Sequence, residues 1–138
     1  MTRREAREIL FCLLFESEFR GDESVQQIYT TSVENREICE NDYIRDTYFG
    51  IFDKLGEIDA VIGEHANGWK TERLNNVSRA VLRLCVYEML YKDDIPVNVS
   101  INEAIELIKK FDDERARPFV NGVLNSVKVS LETKKGEI

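Results

Sequence analysis

Apolar side chains recur every three to four residues along most of this chain, which is the spacing of an amphipathic α-helix. The pattern is clearest at the start, where Thr2 and Glu5 have the spacing of a capping box and an apolar face follows. No alternation of apolar and polar residues is long enough for a β-sheet. The sequence therefore predicts an all-α fold of about six or seven helices.

Short polar or glycine-containing stretches divide the pattern into separate helices. The first helix is predicted to end near Phe19. Asp22 is expected to cap a short second helix, and the polar residues 31–40 are expected to connect it to the third.

A long third helix is predicted to begin at Asn41 or Asp42 and to stop between Gly63 and Asn67, because apolar residues keep helical spacing throughout. Gly50 and Gly56 lower its intrinsic helix propensity. We expect both glycines to allow a neighbouring helix to pack closely.

The second half of the chain contains three further predicted helices. Trp69 lies in a connector that is expected to close one end of the core. Ser78 is predicted to cap a helix over residues 79–91, which is apolar almost all round and should therefore be central. Ser100 and Glu103 have capping-box spacing and are predicted to open the next helix.

A polar stretch, residues 112–117, precedes the last predicted helix. Pro118 suits the first turn of that helix, where the missing N–H has no cost. We assign Asn121 and Gly122 to packing, with the asparagine buried and the glycine letting a neighbouring helix approach. Residues 133–138 are expected to form a frayed tail.

Composition and length indicate an ordinary globular domain. With 138 residues, 43% of them hydrophobic and 33% charged, we expect one domain over residues 1–138. The longest apolar run, residues 9–15, is far shorter than the roughly 20 residues needed to span a bilayer, so no membrane segment is expected. Cys12, Cys39 and Cys85 are odd in number and widely spaced, which predicts reduced thiols in a cytoplasmic protein.

The sequence offers no positive support for an enzyme. His65 is the only histidine, and we interpret it as a surface residue. The adjacent acids of residues 112–114 are typical of a solvated loop. Phosphate-loop, nucleophile-elbow and zinc-protease motifs do not occur. We therefore expect no catalytic residues, no metal site and no cofactor.

The formal charge of −7 argues against binding nucleic acid by bulk charge, so any such contact must be local. Arg3, Arg4 and Arg7 nevertheless cluster at the start of the first helix, where the positive end of the helix dipole disfavours cations. Their spacing places them on one side of the helix. They either solvate the helix and pair with acids, or bind phosphate through their forked guanidinium groups.

A second group of cations precedes the last helix. Lys110 ends one predicted helix, and Arg115 and Arg117 lie beside Phe119. An aromatic ring next to cations suits the stacking of an unpaired base. The alternative is that Phe119 packs the start of the helix into the core.

Four blocks, residues 2–16, 73–90, 95–111 and 119–127, resemble the NusB family of bacterial transcription antitermination factors. The two most specific are INEAIEL and FVNGVL, at their present separation. Residues 20–45 match more loosely.

The resemblance implies an all-α NusB-like fold of two packed helical bundles and no catalysis. It implies binding to boxA RNA of ribosomal RNA leader transcripts in a heterodimer with NusE, a small-subunit ribosomal protein. The complex would help RNA polymerase resist termination. The RNA-binding positions that the resemblance implies are Arg3, Arg4, Arg7 and Phe119. The cations near Phe119 in the sequence, Lys110, Arg115 and Arg117, are added as candidates for the same role.

Three positions depart from the family pattern: Glu5 interrupts the arginine run, Asp112 replaces a common glycine, and Arg115 stands where an acid can occur. RNA affinity is therefore expected to differ among members.

Two alternatives stay open. A similar domain accompanies RNA cytosine methyltransferases, although the end of this sequence at Ile138 favours a free factor. A homodimer could instead bury the arginine face between two copies.

Overall fold

The computed structural model describes residues 1–36 and 41–136, and within these ranges it contains α-helices and one 3₁₀ turn but no β-strand. The all-α prediction is therefore confirmed. The backbone divides into two compact units between Lys54 and Leu55, here termed the N-terminal unit and the C-terminal unit. The helices are α1 (Arg3–Ser17), α2 (Val25–Arg36), α3 (Asp42–Asp53), α4 (Leu55–His65), α5 (Asn76–Tyr91), α6 (Val97–Phe111) and α7 (Ala116–Gly136), with the 3₁₀ turn at Thr71–Arg73.

In the N-terminal unit, α1 packs against both α2 and α3. Leu10 and Leu13 from α1 and Ile44 from α3 are completely buried. Tyr48 is also fully buried, and its hydroxyl donates a 2.9 Å hydrogen bond to the carbonyl of Val25. The Tyr48 ring fills the core while its hydroxyl has a hydrogen-bond partner on α2. This bond fixes α2 against α3.

In the C-terminal unit, α5 contacts α4, α6 and α7, so its predicted central position is confirmed. The Glu88 carboxylate on this helix is only 1% exposed and accepts a 2.7 Å hydrogen bond from the buried Ser100 hydroxyl of α6. Arg83 of α5 forms a bidentate ion pair with Asp59 of α4, with both N···O distances at 2.9 Å. Polar contacts thus tie the central helix to two neighbours.

The predicted helix caps were right at one site and wrong at three. Thr2 and Glu5 form the expected capping box. Ser24, not Asp22, accepts the backbone N–H of α2, from Gln27.

The predicted serine caps of α5 and α6 were wrong because both hydroxyls bond to distant side chains. Asn75 caps α5, whereas Ser78 donates to the Asp112 carboxylate at 3.2 Å. The other serine, Ser100, lies one turn inside α6, which begins after Pro96.

The long third helix is two helices, because Lys54 leaves the helical conformation at φ −109° and ψ 17°. Helical spacing continues on both sides, so the sequence pattern did not reveal the break. The packing roles of Gly56 and Gly122 were also wrong, since a Cβ atom built on either would meet nothing within 4 Å. Asn121 is exposed, not buried.

Trp69 does not close the core, because its side chain is 55% exposed. The two residues before it, Asn67 and Gly68, have positive φ angles of 50° and 86°, which turn the chain sharply after α4. The predicted surface position of His65 is confirmed, and its Nδ1 lies 2.6 Å from the Ser126 hydroxyl.

Several predictions concern residues 37–40 and the end of the chain. Cys39 and the last part of the predicted connector lie outside the described residues, as do residues 137 and 138. The described part of the connector continues α2 to Arg36, and α7 continues to Gly136. Within the described ranges, no helix combines the length and hydropathy needed to cross a membrane.

Replacing Ser100 with alanine should lower the free energy of unfolding by about 1–3 kcal/mol, because the buried Glu88 carboxylate loses a hydrogen bond that water does not replace. Urea denaturation followed by circular dichroism measures this change. Ser130→Ala is the control, since the Ser130 hydroxyl makes no hydrogen bond with the described residues. Equal effects of the two substitutions would contradict a stabilising role for the Glu88–Ser100 pair.

Candidate nucleic-acid interface

The first candidate surface is the start of α1, in the N-terminal unit. Thr2 caps the helix there, and the Glu5 carboxylate returns a hydrogen bond to the Thr2 backbone N–H at 3.3 Å. Arg3 and Arg4 are exposed, whereas Arg7 is only 5% exposed. The three predicted cations therefore differ: two face solvent, and the third lies mostly within the protein.

Tyr43, near the start of α3, faces two of these arginines. The guanidinium carbon of Arg3 lies 4.2 Å from the centroid of the Tyr43 ring, and that of Arg7 lies 5.8 Å from it. Both distances are within the range of a cation–π interaction. Arg3 makes no ion pair with a described residue, so no carboxylate among those residues neutralises its positive charge.

The start of α1 also lies beside the start of α3. The Met1 sulfur accepts a hydrogen bond at 3.7 Å from Asn41, whose side-chain oxygen caps α3. Two helix N-termini, each with unpaired N–H groups and a partial positive charge, therefore meet at the arginines. The combination is suited to an anion.

The second candidate surface lies in the C-terminal unit, around the loop between α6 and α7. Lys110 is exposed in the last turn of α6, where its charge complements the negative end of the helix dipole. Its ammonium nitrogen lies 5.6 Å from the centroid of the Phe111 ring. Arg117 is exposed in the first turn of α7, and its side chain has no partner among the described residues.

Arg115 is held by an acid in the same loop. Its Nη2 and Nε atoms lie 2.7 Å and 3.1 Å from Oδ2 of Asp113, and its backbone N–H donates to Oδ1 at 2.9 Å. These hydrogen bonds, first from the side chain and then from the backbone, lower the pKa of Asp113 to about 2. The guanidinium is 90% exposed, so the pair lies open to solvent.

Phe119 is half-buried and lines an open pocket of about 280 Å³. Trp69 and Leu74 contribute apolar surface to the same pocket, and Arg73 provides a cation. Phe119 is thus neither fully enclosed in the core nor fully exposed, and the exposed part of its ring faces an accessible cavity.

Arg79 fixes the segment that forms one side of this pocket. Its Nη1 atom donates to the carbonyls of Thr71, Glu72 and Leu74 at 3.1–3.3 Å. Its Nη2 atom donates to the side chain of Asn76 at 2.6 Å. The carbonyls of the 3₁₀ turn are thus bound to the first turns of α5.

The predicted site residues divide between the two units: Arg3, Arg4 and Arg7 lie in the N-terminal unit, and Lys110, Arg115, Arg117 and Phe119 lie in the C-terminal unit. Sequence reasoning missed Tyr43, Trp69 and Arg73. The position of Trp69 directly after Asn67 and Gly68, residues typical of a turn, was an available signal, but its apolar character favoured a core position. Nothing in the spacing linked Tyr43 to α1.

Comparisons with known proteins agree along almost the whole chain. The model of the NusB family matches residues 4–128. The transcription antitermination protein NusB of Acetivibrio thermocellus is 42% identical, and the match covers 99% of this chain and 95% of that protein. The corresponding protein of Bacillus subtilis is 40% identical, over 96% of this chain and 98% of that protein.

Solved structures show the same fold. NusB of T. maritima matches with a TM-score of 0.81 and 37% identity, covering 92% of this chain and 90% of that chain. A chain in the crystal structure of the antitermination factors NusB and NusE in complex with dsRNA matches with a TM-score of 0.82 and 30% identity, covering 93% and 96%. A helical chain with these matches from end to end is a member of the NusB family, whose proteins are transcription antitermination factors and not enzymes.

Proposed function

We propose that this protein binds boxA RNA of ribosomal RNA leader transcripts together with NusE, and so promotes processive transcription by RNA polymerase in the cytoplasm. The observation that carries the proposal is the exposed pair Arg3 and Arg4, placed where two helix N-termini meet in an otherwise acidic chain. Such an arrangement has an electrostatic cost that an anionic ligand would offset. A related protein in complex with NusE and dsRNA supports the choice of partners.

The C-terminal unit would contribute the second contact. Arg117 and Lys110 offer charge to phosphates, and the pocket beside Phe119 offers aromatic surface to a base. Stacking on an aromatic side chain requires a base that is not paired. We therefore propose that the RNA is single-stranded where it meets this pocket.

The proposed function is tested by titrating a single-stranded boxA RNA with the protein alone and with NusE, across a range of salt concentrations. Arg3→Ala and Arg4→Ala should each weaken binding, and each lost phosphate contact should lower the salt slope by about 0.7. NusE should tighten binding, and a scrambled RNA or a duplex of the same sequence should bind less well.

The matched control is Arg20→Ala, which removes one positive charge near the other end of α1, roughly 20 Å away. This variant should keep the wild-type salt slope, because Arg20 pairs with Glu16 and Glu23. An unchanged slope in the Arg3→Ala/Arg4→Ala double variant would remove the start of α1 from the RNA site.

Binding of the RNA should change the fluorescence of Trp69, which is the only tryptophan in the chain and lines the pocket beside Phe119. A stacked base alters both the polarity and the quenching around an exposed indole. Phe119→Leu should weaken binding and reduce the change in emission at saturation. Saturable binding measured by filter retention, with no change in tryptophan emission, would show that the pocket stays empty.

Asp113→Asn should tighten RNA binding by about two- to fivefold, because it releases the Arg115 guanidinium from an exposed ion pair. The gain should be the same from pH 5 to pH 8, since the pKa of Asp113 is about 2 and the carboxylate stays ionised. Glu114→Gln is the control, because it makes the same change in charge at a side chain that has no partner among the described residues. Equal gains would attribute the effect to net charge alone.

A further inference from the structure

One aromatic ring contacts two of the three arginines at the start of α1. The guanidinium carbons of Arg3 and Arg7 lie 4.2 Å and 5.8 Å from the centroid of the Tyr43 ring. Tyr43 is half-buried on α3, and α3 packs against α1 within the N-terminal unit. The ring therefore belongs to a rigid element next to the arginines and is not part of the helix that carries them.

The acids nearest to this ring along α3 are engaged by another residue. Arg45 pairs with Asp42 at 2.9 Å and with Asp46 at 3.5 Å. Glu5, the acid in the first turn of α1, accepts from the Thr2 backbone. Arg3 is thus held by a neutral π-face, and no ion pair with a described residue neutralises it.

An arginine held by an uncharged ring keeps its positive charge and its free N–H donors, whereas an arginine held by a carboxylate does not. A carboxylate fixes a guanidinium but also neutralises it and occupies its N–H donors, as Asp113 does for Arg115. An aromatic face attracts the flat side of the guanidinium and leaves the N–H groups at its edge available for phosphate oxygens. The Tyr43 ring therefore restricts the Arg3 side chain without reducing its positive charge.

We propose that Tyr43 is a positioning residue for RNA: it holds the Arg3 guanidinium, with Arg7 beside it, in place for a phosphate of the bound strand. This inference rests on the proposed RNA-binding function. Arg3 is the exposed cation that would contact the ligand, while the mostly buried Arg7 lies close to the same ring. Fixing these groups before binding lowers the conformational entropy lost when the phosphate arrives.

The test compares substitutions that keep and remove the ring in the full chain. Tyr43→Phe retains the π-face, Tyr43→Leu removes it, and Tyr43→Met fills the space with a flexible apolar chain. Phe49→Leu is the matched control, because Phe49 is a half-buried aromatic residue on the same helix and has no arginine over its ring in the described structure. Each variant is titrated with single-stranded boxA RNA after its helical content has been checked by circular dichroism.

Tyr43→Phe should bind within about twofold of the wild type, whereas Tyr43→Leu and Tyr43→Met should bind about three- to tenfold more weakly. Phe49→Leu should bind like the wild type. In an Arg3→Ala background, Tyr43→Leu should have little further effect, because the two residues act as a unit. The double-mutant cycle measures the coupling between Arg3 and Tyr43 in RNA binding. A tyrosine with only a structural role would show no such coupling.

Three outcomes would overturn the proposal: an equal loss in Phe49→Leu, a loss in Tyr43→Phe as large as in Tyr43→Leu, or an additive cycle with Arg3. If one ring-removing variant loses helical content, the other supplies the comparison. Loss of folding in both would also overturn the proposal, because the ring would then be a core residue. Failure of wild-type protein to bind the RNA would reject the proposed function itself. Normal wild-type binding with any of the three outcomes would reject only the role of Tyr43.

Discussion

The start of α1 concentrates positive charge that the helix itself does not favour. Arg3 and Arg4 lie in the first turn, next to unpaired N–H groups, and the capped start of α3 lies beside them. Glu5 offsets part of this charge within the capping box, and Tyr43 offsets part of it through its ring. The remaining charge forms an exposed positive site on a chain of net charge −7. The proposed interface depends on this site, because it offers an anionic ligand a local attraction that the chain as a whole does not.

The two candidate surfaces hold their cations in different ways. Arg3 is held by a neutral ring on a packed helix, so it is both fixed and charged. Arg115 is held by Asp113 in an exposed loop, and a phosphate must compete with that carboxylate for the guanidinium. In the proposed complex, a phosphate would therefore reach Arg3 without displacing a carboxylate of the described residues, whereas at Arg115 it would replace or share an existing ion pair.

The sequence predicted the helical class, the capping box at Thr2, the central position of α5 and the surface position of His65. Two of its failures concern serines whose hydroxyls could either cap a helix or bond elsewhere. Ser78 and Ser100 have the spacing of caps, but their hydroxyls bond to Asp112 and Glu88, which are distant in sequence. Local patterns describe neighbours along a helix, and these bonds depend on tertiary packing that such patterns do not contain.

The candidate site was predictable to a similar extent. Clustered arginines and a loop aromatic stand out in a single sequence because their residue types match the chemistry of phosphates and bases. Tyr43 and Trp69 do not, since aromatic residues most often signal a core. Both were found only once the neighbouring backbone was known: α3 places the tyrosine beside α1, and the Asn67–Gly68 turn exposes the tryptophan.

The candidate cations are divided between two units, and this division affects how tightly an acidic protein could bind RNA. Each surface has few charges, and exposed charges alone give weak, salt-sensitive contacts. If one RNA strand bound both surfaces, the second contact would form within the complex, at an effective concentration set by the number of intervening nucleotides. Two modest sites would then give an affinity that neither has alone, and a protein with this charge would need no extended basic face.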